Sequence, residues 1–353
     1  MAEALLYLHI VIRDGRASHL LPLQRTLSTK RWPNGAPAGA WTRKITVTAP
    51  APHKSLAPHK SDLIAAYHMG LRDVILLCPN LESFCICRQS QNLRGFPETP
   101  EEVLKALPDH LRMCAWGNHG TTVRLTVFRD SCSFFSMLEH LQLRRTWGYV
   151  DVVLTLPRLR SLSFASQIAM YRIVQWDLPS LVWLEISVES AVWLEKLDSF
   201  FIEHGKNLEF LQLVPGDLPP PGPNYIEIPL NFFRYFPLLS CFSVDPSWMQ
   251  LGTIEESDEI PAVPHDNLTT LHISRSDPRH GPRNSCGEFI RSFFVAHQNL
   301  FPRLKVISFT IEGEYVVVPM FYPWFCSDIR PTREELAKLG EEFSFDIIDR
   351  AYS

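Results

Sequence analysis

The chain lacks the short motifs that mark the commoner catalytic sites. It has no Gly-x-Gly-x-x-Gly, no Gly-x-x-x-x-Gly-Lys, no Gly-x-Ser-x-Gly and no His-Glu-x-x-His. Dinucleotide, P-loop, nucleophile-elbow and zincin chemistry therefore have no handle in it. Its eight cysteines (Cys78, Cys85, Cys87, Cys114, Cys132, Cys241, Cys286 and Cys326) never form a Cys-x-x-Cys, so half-sites for structural zinc or a redox pair are missing. Positive charge is short as well. Lys plus Arg number 34 against 38 Asp plus Glu, a net charge of −4 with a pI near 6.4. No basic field is left over for phosphates or anionic headgroups, which argues against nucleic-acid and membrane partners. Long apolar runs are absent too: Ala4 to Ile12 is interrupted by His9 and closed by Arg13 and Asp14. That run is too short to span a bilayer and has no positive segment before it, so it makes a poor signal peptide. The expectation is an intracellular protein, cytoplasmic or nuclear, with reduced thiols.

What the chain does contain is repetition. The pattern Leu-x-x-Φ-x-Φ, with Φ apolar, recurs eight times, and five copies carry a proline two residues before the leucine. The copies are Leu81/Phe84/Ile86, Leu138/Leu141/Leu143, Leu159/Leu162/Phe164, Leu181/Leu184/Ile186, Leu208/Leu211/Leu213, Leu239/Phe242/Val244, Leu268/Leu271/Ile273 and Leu304/Ile307/Phe309. From Leu138 onward the leucines are spaced 21, 22, 27, 31, 29 and 36 residues apart. The short spacings match the period of roughly 20–29 residues of leucine-rich repeats, and the long ones require insertions on the outer side. Two weaker copies extend the array upstream, with Ile45 and Val47, and with Leu125 and Val127, as inward residues. The fold expected is α/β, an irregular leucine-rich-repeat-like solenoid with a curved parallel sheet and outer helices. It forms a single domain over residues 1–353, with an N-terminal cap at 1–40, repeats at 41–312 and a C-terminal cap at 313–353.

The segments between strands read as returning helices and loops. Ala191 to His204 places Leu194, Leu197, Phe200 and Phe201 on one face and stops at Gly205, a favoured residue just past a helix end. Ser61 to Leu77 is helical with an expected interruption at Gly70, and Glu288 to His297 is a further helix. Capping boxes at Thr99–Glu102 and Thr332–Glu335 open two more. Loops are expected at the tandem Ala-Pro-His-Lys-Ser copies (Ala51–Ser55 and Ala57–Ser61), at Pro215–Pro223, at Glu255–Glu259 and at Ser276–Gly287.

Several residues invite a chemical reading. Cys85 and Cys87 share one strand face, but no second pair of ligands accompanies them, and two thiols on a sheet surface is the simpler account. His53 and His59 belong to the duplicated loop, and the acidic run at Glu255, Glu256, Asp258 and Glu259 reads as a solvated face. No catalytic residue, metal or cofactor is expected.

The strongest functional surface comes from the repeat itself. With the Φ positions inward, the residues between them face the open side of the sheet and form a strip across neighbouring strands, the surface solenoids use for partners. Trp183 and Phe210 fall at equivalent places on adjacent strands, flanked by Arg144, Glu185, Gln212 and His272. Aromatic anchors among polar groups fit a protein-binding hot spot. The alternative for the aromatic pair is burial beneath an insertion or the C-terminal segment. For the chain as a whole, the alternative is an enzyme with a loop-built site at the sheet edge, using His140, His272 or Cys241. A third possibility is a truncated gene product.

The stretches Leu77–Ile86, Leu156–Phe164, Leu178–Ile186 and Lys196–Leu213 together resemble the repeat region of fungal F-box-type leucine-rich-repeat proteins. Leu5–Ile12, Leu20–Leu27 and Trp41–Val47 resemble the segment that follows the F-box in such proteins. The resemblance implies a substrate receptor of a ubiquitin ligase. The F-box has no counterpart before Leu5, so the implied docking to the ligase adaptor lacks its usual element. The ninth repeat position, Asn or Cys in typical repeats, holds Gln89, Thr146, Gln167, Glu189, Gly216, Ser247, Ser276 and Glu312. The turns are therefore expected to satisfy their backbone groups by other means.

Overall fold

A computed structural model describes residues 7–13, 17–32, 34–49, 60–88, 101–116, 133–143, 153–164, 173, 175–188, 197–215, 226–245, 249–251, 264–275, 300–311 and 346–349. Two compact units divide the chain, Met1–Leu181 and Val182–Ser353. In the first, β1 (His9–Ile12), β2 (Lys44–Ala49), β3 (Ser83–Arg88), β4 (Met113–Trp116), β5 (His140–Leu143) and β6 (Ser161–Phe164) pair in chain order. Every pair is parallel and in register. Parallel neighbours need crossover connections, and these include the helices α1 (Ala17–Thr29), α2 (Lys60–Leu76) and α3 (Glu101–Lys105) and 3-10 turns at Ala38–Trp41 and Ser133–Met137.

The second unit repeats the scheme. Its parallel sheet runs β7 (Trp183–Val188), β8 (Phe210–Pro215), β10 (Cys241–Val244), β12 (Thr270–Arg275), β13 (Val306–Ile311) and β14 (Asp346–Asp349). The helix α4 (Asp198–His204) and 3-10 turns at Gly205–Asn207 and Leu230–Tyr235 lie between strands. A separate parallel pair joins β9 (Ile226–Ile228) to β11 (Met249–Leu251). The architecture is the expected α/β, solenoid-like one, with one sheet strand per repeat.

The proline in the repeat has a local cause. In each Pro-containing copy the leucine N–H donates to the carbonyl three residues back: Leu81 to Cys78, Leu159 to Leu156, Leu181 to Leu178, Leu239 to Phe236 and Leu304 to Phe301. Proline is then the second residue of a β-turn, where its fixed φ is already correct. The turn drives the leucine inward, and Leu81, Leu159, Leu181, Leu208, Leu239 and Leu268 are all fully buried. The two Φ residues follow it, and Phe84, Leu162, Leu184, Ile186, Leu211, Leu213, Phe242 and Val244 are buried as well. Each such side chain contributes about 1.5–3 kcal/mol of burial.

Repeats are stitched by a backbone ladder at the residue after the leucine. The Arg43 carbonyl accepts the N–H groups of Glu82 and Ser83, Glu82 those of Arg112 and Met113, and Arg112 those of Glu139 and His140. In the second unit Val182, Glu209, Ser240 and Thr269 accept in the same way from the next repeat. Side chains reinforce the ladder from the position before the leucine: Asn80 donates to the Ala40 carbonyl, Ser180 to Pro157 and Asn267 to Pro237, each at 2.7 Å. This answers the missing asparagine at the ninth position, since amide and hydroxyl donors sit at the other end of the motif.

Some local expectations need correction. Gly70 does not interrupt α2; the helix runs through it, and the missing Cβ lets Leu20 of α1 approach, while the Gly70 carbonyl accepts a 3.0 Å bond from Gln24. α4 ends at His204 with Gly205 just past it, as expected, but the glycine is not left-handed. Its φ is −65°, and the chain continues into a 3-10 turn. Glycine is required there because a Cβ would lie 2.6 Å from the Tyr235 carbonyl oxygen. Three sheet strands stand outside the eight copies and their two upstream extensions. These are β1, β4, whose Leu111 and Cys114 are buried like any repeat pair, and β14. The copy at Leu125 and Val127 and the helix at Glu288–His297 lie outside the described residues.

Candidate protein-binding face

Because side chains alternate along a strand, burying Leu184 and Ile186 forces Trp183, Glu185 and Ser187 onto the other face of β7. In-register pairing then lines up equivalent residues about 4.8 Å apart from strand to strand. One row of the second unit runs Trp183, Phe210, Cys241, Thr270 and Val306. The next row runs Glu185, Gln212, Ser243, His272 and Ser308.

The first row contains the aromatic pair. Trp183 and Phe210 stack with centroids 5.3 Å apart and planes 10° from parallel, and both are half-buried. Register and spacing alone dictate the contact, since flat rings on neighbouring in-register strands meet face to face. The pair presents a two-ring apolar surface beside the half-buried Cys241 thiol.

The second row is polar, and three of its residues are buried. Glu185 and Gln212 are only 8% and 7% exposed, and Ser243 is fully buried. The Ser243 hydroxyl has no hydrogen-bond partner among the described residues, whereas Glu185 and His272 each have interactions of their own. His272 remains half-buried at the far side of this row. The open-face strip read from the sequence is thus a half-open aromatic edge beside a row of buried hydrogen-bonding groups. The serine was legible only as a member of the strip. Its burial depends on what surrounds the strand, which the repeat pattern does not encode.

Of the remaining residues singled out, Arg144 lies outside the described residues. His140 is exposed on β5 of the first unit. In the second unit Cys241 and His272 occupy neighbouring strands one row apart. Cys85 is a half-buried free thiol on β3, and Cys87 lies in the same strand. Burial holds the Cys78 thiol up at about 11, which a hydrogen bond with Thr42 partly offsets. No group of three or more His, Cys, Asp or Glu able to hold a metal occurs among the described residues. No described helix is long and apolar enough to cross a membrane.

No protein-family model matches the chain, and no curated protein matches it significantly. Among solved structures, it is similar to a protein from Bacteroides fragilis at 12% identity, over 97% of this chain and 72% of that one, with a TM-score of 0.41.

Proposed function

We propose that the chain is a non-catalytic recognition module that binds another protein through the open face of its second unit. The observation that carries this reading is the stacked Trp183–Phe210 pair, half-exposed at the edge of a polar row. Two rings already held against each other lose little freedom when a partner covers them, so most of the apolar contact appears as affinity. Aromatic anchors of this kind dominate interface energetics when polar groups around them exclude water. The neighbouring Glu185, Gln212 and His272 supply the polar surround. The resemblance to F-box-type repeat regions supports a narrower version, a ubiquitin-ligase substrate receptor whose bound protein is the substrate. A cytoplasmic or nuclear setting agrees with Cys78, Cys85, Cys114 and Cys241 standing outside any disulfide.

Affinity purification of the tagged chain beside a Trp183→Ala/Phe210→Ala variant tests the reading. A defined protein should be recovered with the wild type and lost with the variant, whose melting temperature must stay close to wild type. Measured on the recovered partner, the double change should cost about 2 kcal/mol or more, the level of a hot spot. Recovery of the same proteins by both forms, or of none by either, would count against it. Co-purification of a ligase adaptor would support the narrower version.

A further inference from the structure

Apart from the sheet face, the first unit holds a second constellation that its repeat pattern does not explain. Tyr7, Trp32 and Trp41 come from three separate segments and meet edge to face. The Tyr7 and Trp32 centroids lie 5.9 Å apart with planes at 75°, and those of Trp32 and Trp41 lie 6.1 Å apart at 65°. The ammonium of Lys30 sits 5.3 Å from the Tyr7 centroid and 5.7 Å from that of Trp32. One cation over two roughly perpendicular rings, one of them edge to face with a third, is the arrangement of an aromatic cage. We propose that Tyr7, Trp32 and Trp41 form a quaternary-ammonium site, in which Lys30 is a built-in occupant that a trimethylammonium ligand displaces.

The backbone fixes the cage firmly. Lys30 follows the last residue of α1, and its carbonyl accepts the Ala38 N–H at 3.0 Å. Trp32 starts a tight turn: its carbonyl accepts the Gly35 N–H at 2.8 Å, and its own N–H donates to Ala36 at 3.0 Å. Gly35 has φ of +80°, a conformation that a residue with a Cβ resists. The Asn34 side chain accepts from the Ala36 N–H and holds the same turn. Trp41 closes the 3-10 turn that follows, and Tyr7 stands just before β1.

Two features favour a methylated cation over the resident ammonium. The Lys30 nitrogen stands farther from both rings than close contact requires. Methyl groups, on bonds of about 1.5 Å, would fill that gap and touch the rings. The site also lies at the C-terminal end of α1, the negative end of the helix dipole, so it favours cations generally. In addition, the Trp32 Nε1–H is buried with no hydrogen-bond partner among the described residues. All three rings are partly open to solvent.

The shared chemistry is a trimethylammonium group, carried either by a free choline-type molecule or by a trimethylated lysine. Calorimetric titration of the full chain with tetramethylammonium, choline and a trimethyllysine dipeptide amide tests the site. All three should bind, and the uncharged tert-butyl isostere of choline should not. Lys30→Met, which removes the resident cation, should tighten binding by about fivefold. Tyr7→Leu and Trp32→Leu should each weaken it by about tenfold. Should Trp32→Leu fail to fold, Tyr7→Leu carries the test alone. Tighter binding of the dipeptide than of choline would identify a modified protein as the source, and the reverse order a small metabolite. No heat from any cation with wild type or Lys30→Met, equal binding of the isostere, or unchanged affinity in Lys30→Met would overturn the proposal.

Discussion

The two units share one repeat but stabilise it differently. In the first, the connecting helices bury mainly aliphatic side chains, Leu20 and Leu27 of α1 and Leu71, Val74 and Ile75 of α2, with Tyr67 the one ring among them. In the second, rings from the connections cluster with one another. Phe201 meets Phe232 and Phe236 edge to face, and Phe233 meets Phe242 and Phe301. The exposed rim differs too. In the first unit the residues at the ladder position alternate in sign, Arg43, Glu82, Arg112, Glu139 and Arg160, and ion pairs form at 3.6 Å (Arg43–Glu82) and 3.8 Å (Arg112–Glu139). In the second unit the corresponding residues include Ser240 and Thr269, whose hydroxyls donate to carbonyls of the preceding repeat at 3.0 and 3.1 Å. The same backbone ladder can therefore carry a rim of alternating charges or one with hydroxyls in it, and connections filled by aliphatic or by aromatic side chains. What the repeat demands is the turn and the ladder, not the filling.

Two glycines put the largest strain on that conclusion. Gly39 and Gly205 both sit in a 3-10 turn that presses on the backbone of the following repeat. A Cβ on Gly39 would come 2.0 Å from the Leu77 carbonyl oxygen, and one on Gly205 would come 2.6 Å from that of Tyr235. Backbone cannot step aside as a side chain can, so Gly39→Ala should destabilise by about 3 kcal/mol and Gly205→Ala by about 2 kcal/mol. Urea unfolding followed by far-ultraviolet dichroism would measure both. Equal and negligible effects would mean that the turns are loosely packed and that the likeness between the units is superficial.

The turn and the strand were legible in the sequence because one six-residue pattern specifies both. Proline and leucine set the turn, and alternation sets which residues enter the core. The pairing of Trp183 with Phe210 was legible for the same reason, since equal phase in two repeats means equal register in the sheet. β4 obeys the pattern, as Leu111, Cys114 and Trp116, but a thiol and an indole in the apolar slots disguised it. Gly70 was misread because close approach of another element is a tertiary fact, whereas the helix end at Gly205 is a local one and was legible. The aromatic cage had no periodic signal at all. Its rings come from a strand approach, a turn and a 3-10 helix, and only folding places them around Lys30.

A middle-sized effect should separate the units at the turn before the leucine. In most repeats that turn closes on a backbone carbonyl, as Leu111 does on Pro108 in the first unit. In the second unit one copy uses a side chain instead. The Leu268 N–H donates to His265 Nδ1 at 3.1 Å, so the other ring nitrogen carries the proton and donates to the Phe236 carbonyl at 2.7 Å. His265 is buried, and its removal would strand one donor and one acceptor. His265→Ala should cost about 2 kcal/mol, whereas His110→Ala on the exposed turn of the first unit should stay within about 0.5 kcal/mol of wild type. Comparable losses from the two would show that His265 acts only by filling space.

The smallest effect concerns the charged rim. Glu82→Lys would put three cations in a row, at positions 43, 82 and 112, in place of an alternating set. The Arg43 and Glu82 side chains are each 47% exposed, so water screens them and the native pair is worth little by itself. Reversal adds repulsion to the lost attraction, and a destabilisation of about 1 kcal/mol at low salt is expected. Half-exposed charges are screened within about 3 Å at 1 M ionic strength, so the loss should nearly vanish there. Ser240→Ala, at the matching place in the second unit, removes a hydroxyl bond without changing any charge, and its smaller cost should not depend on salt. A salt-independent loss in Glu82→Lys would mean that residue 82 matters through its backbone place in the ladder alone. The alternating charges would then be a by-product of solubility and not a second means of holding the repeats in register.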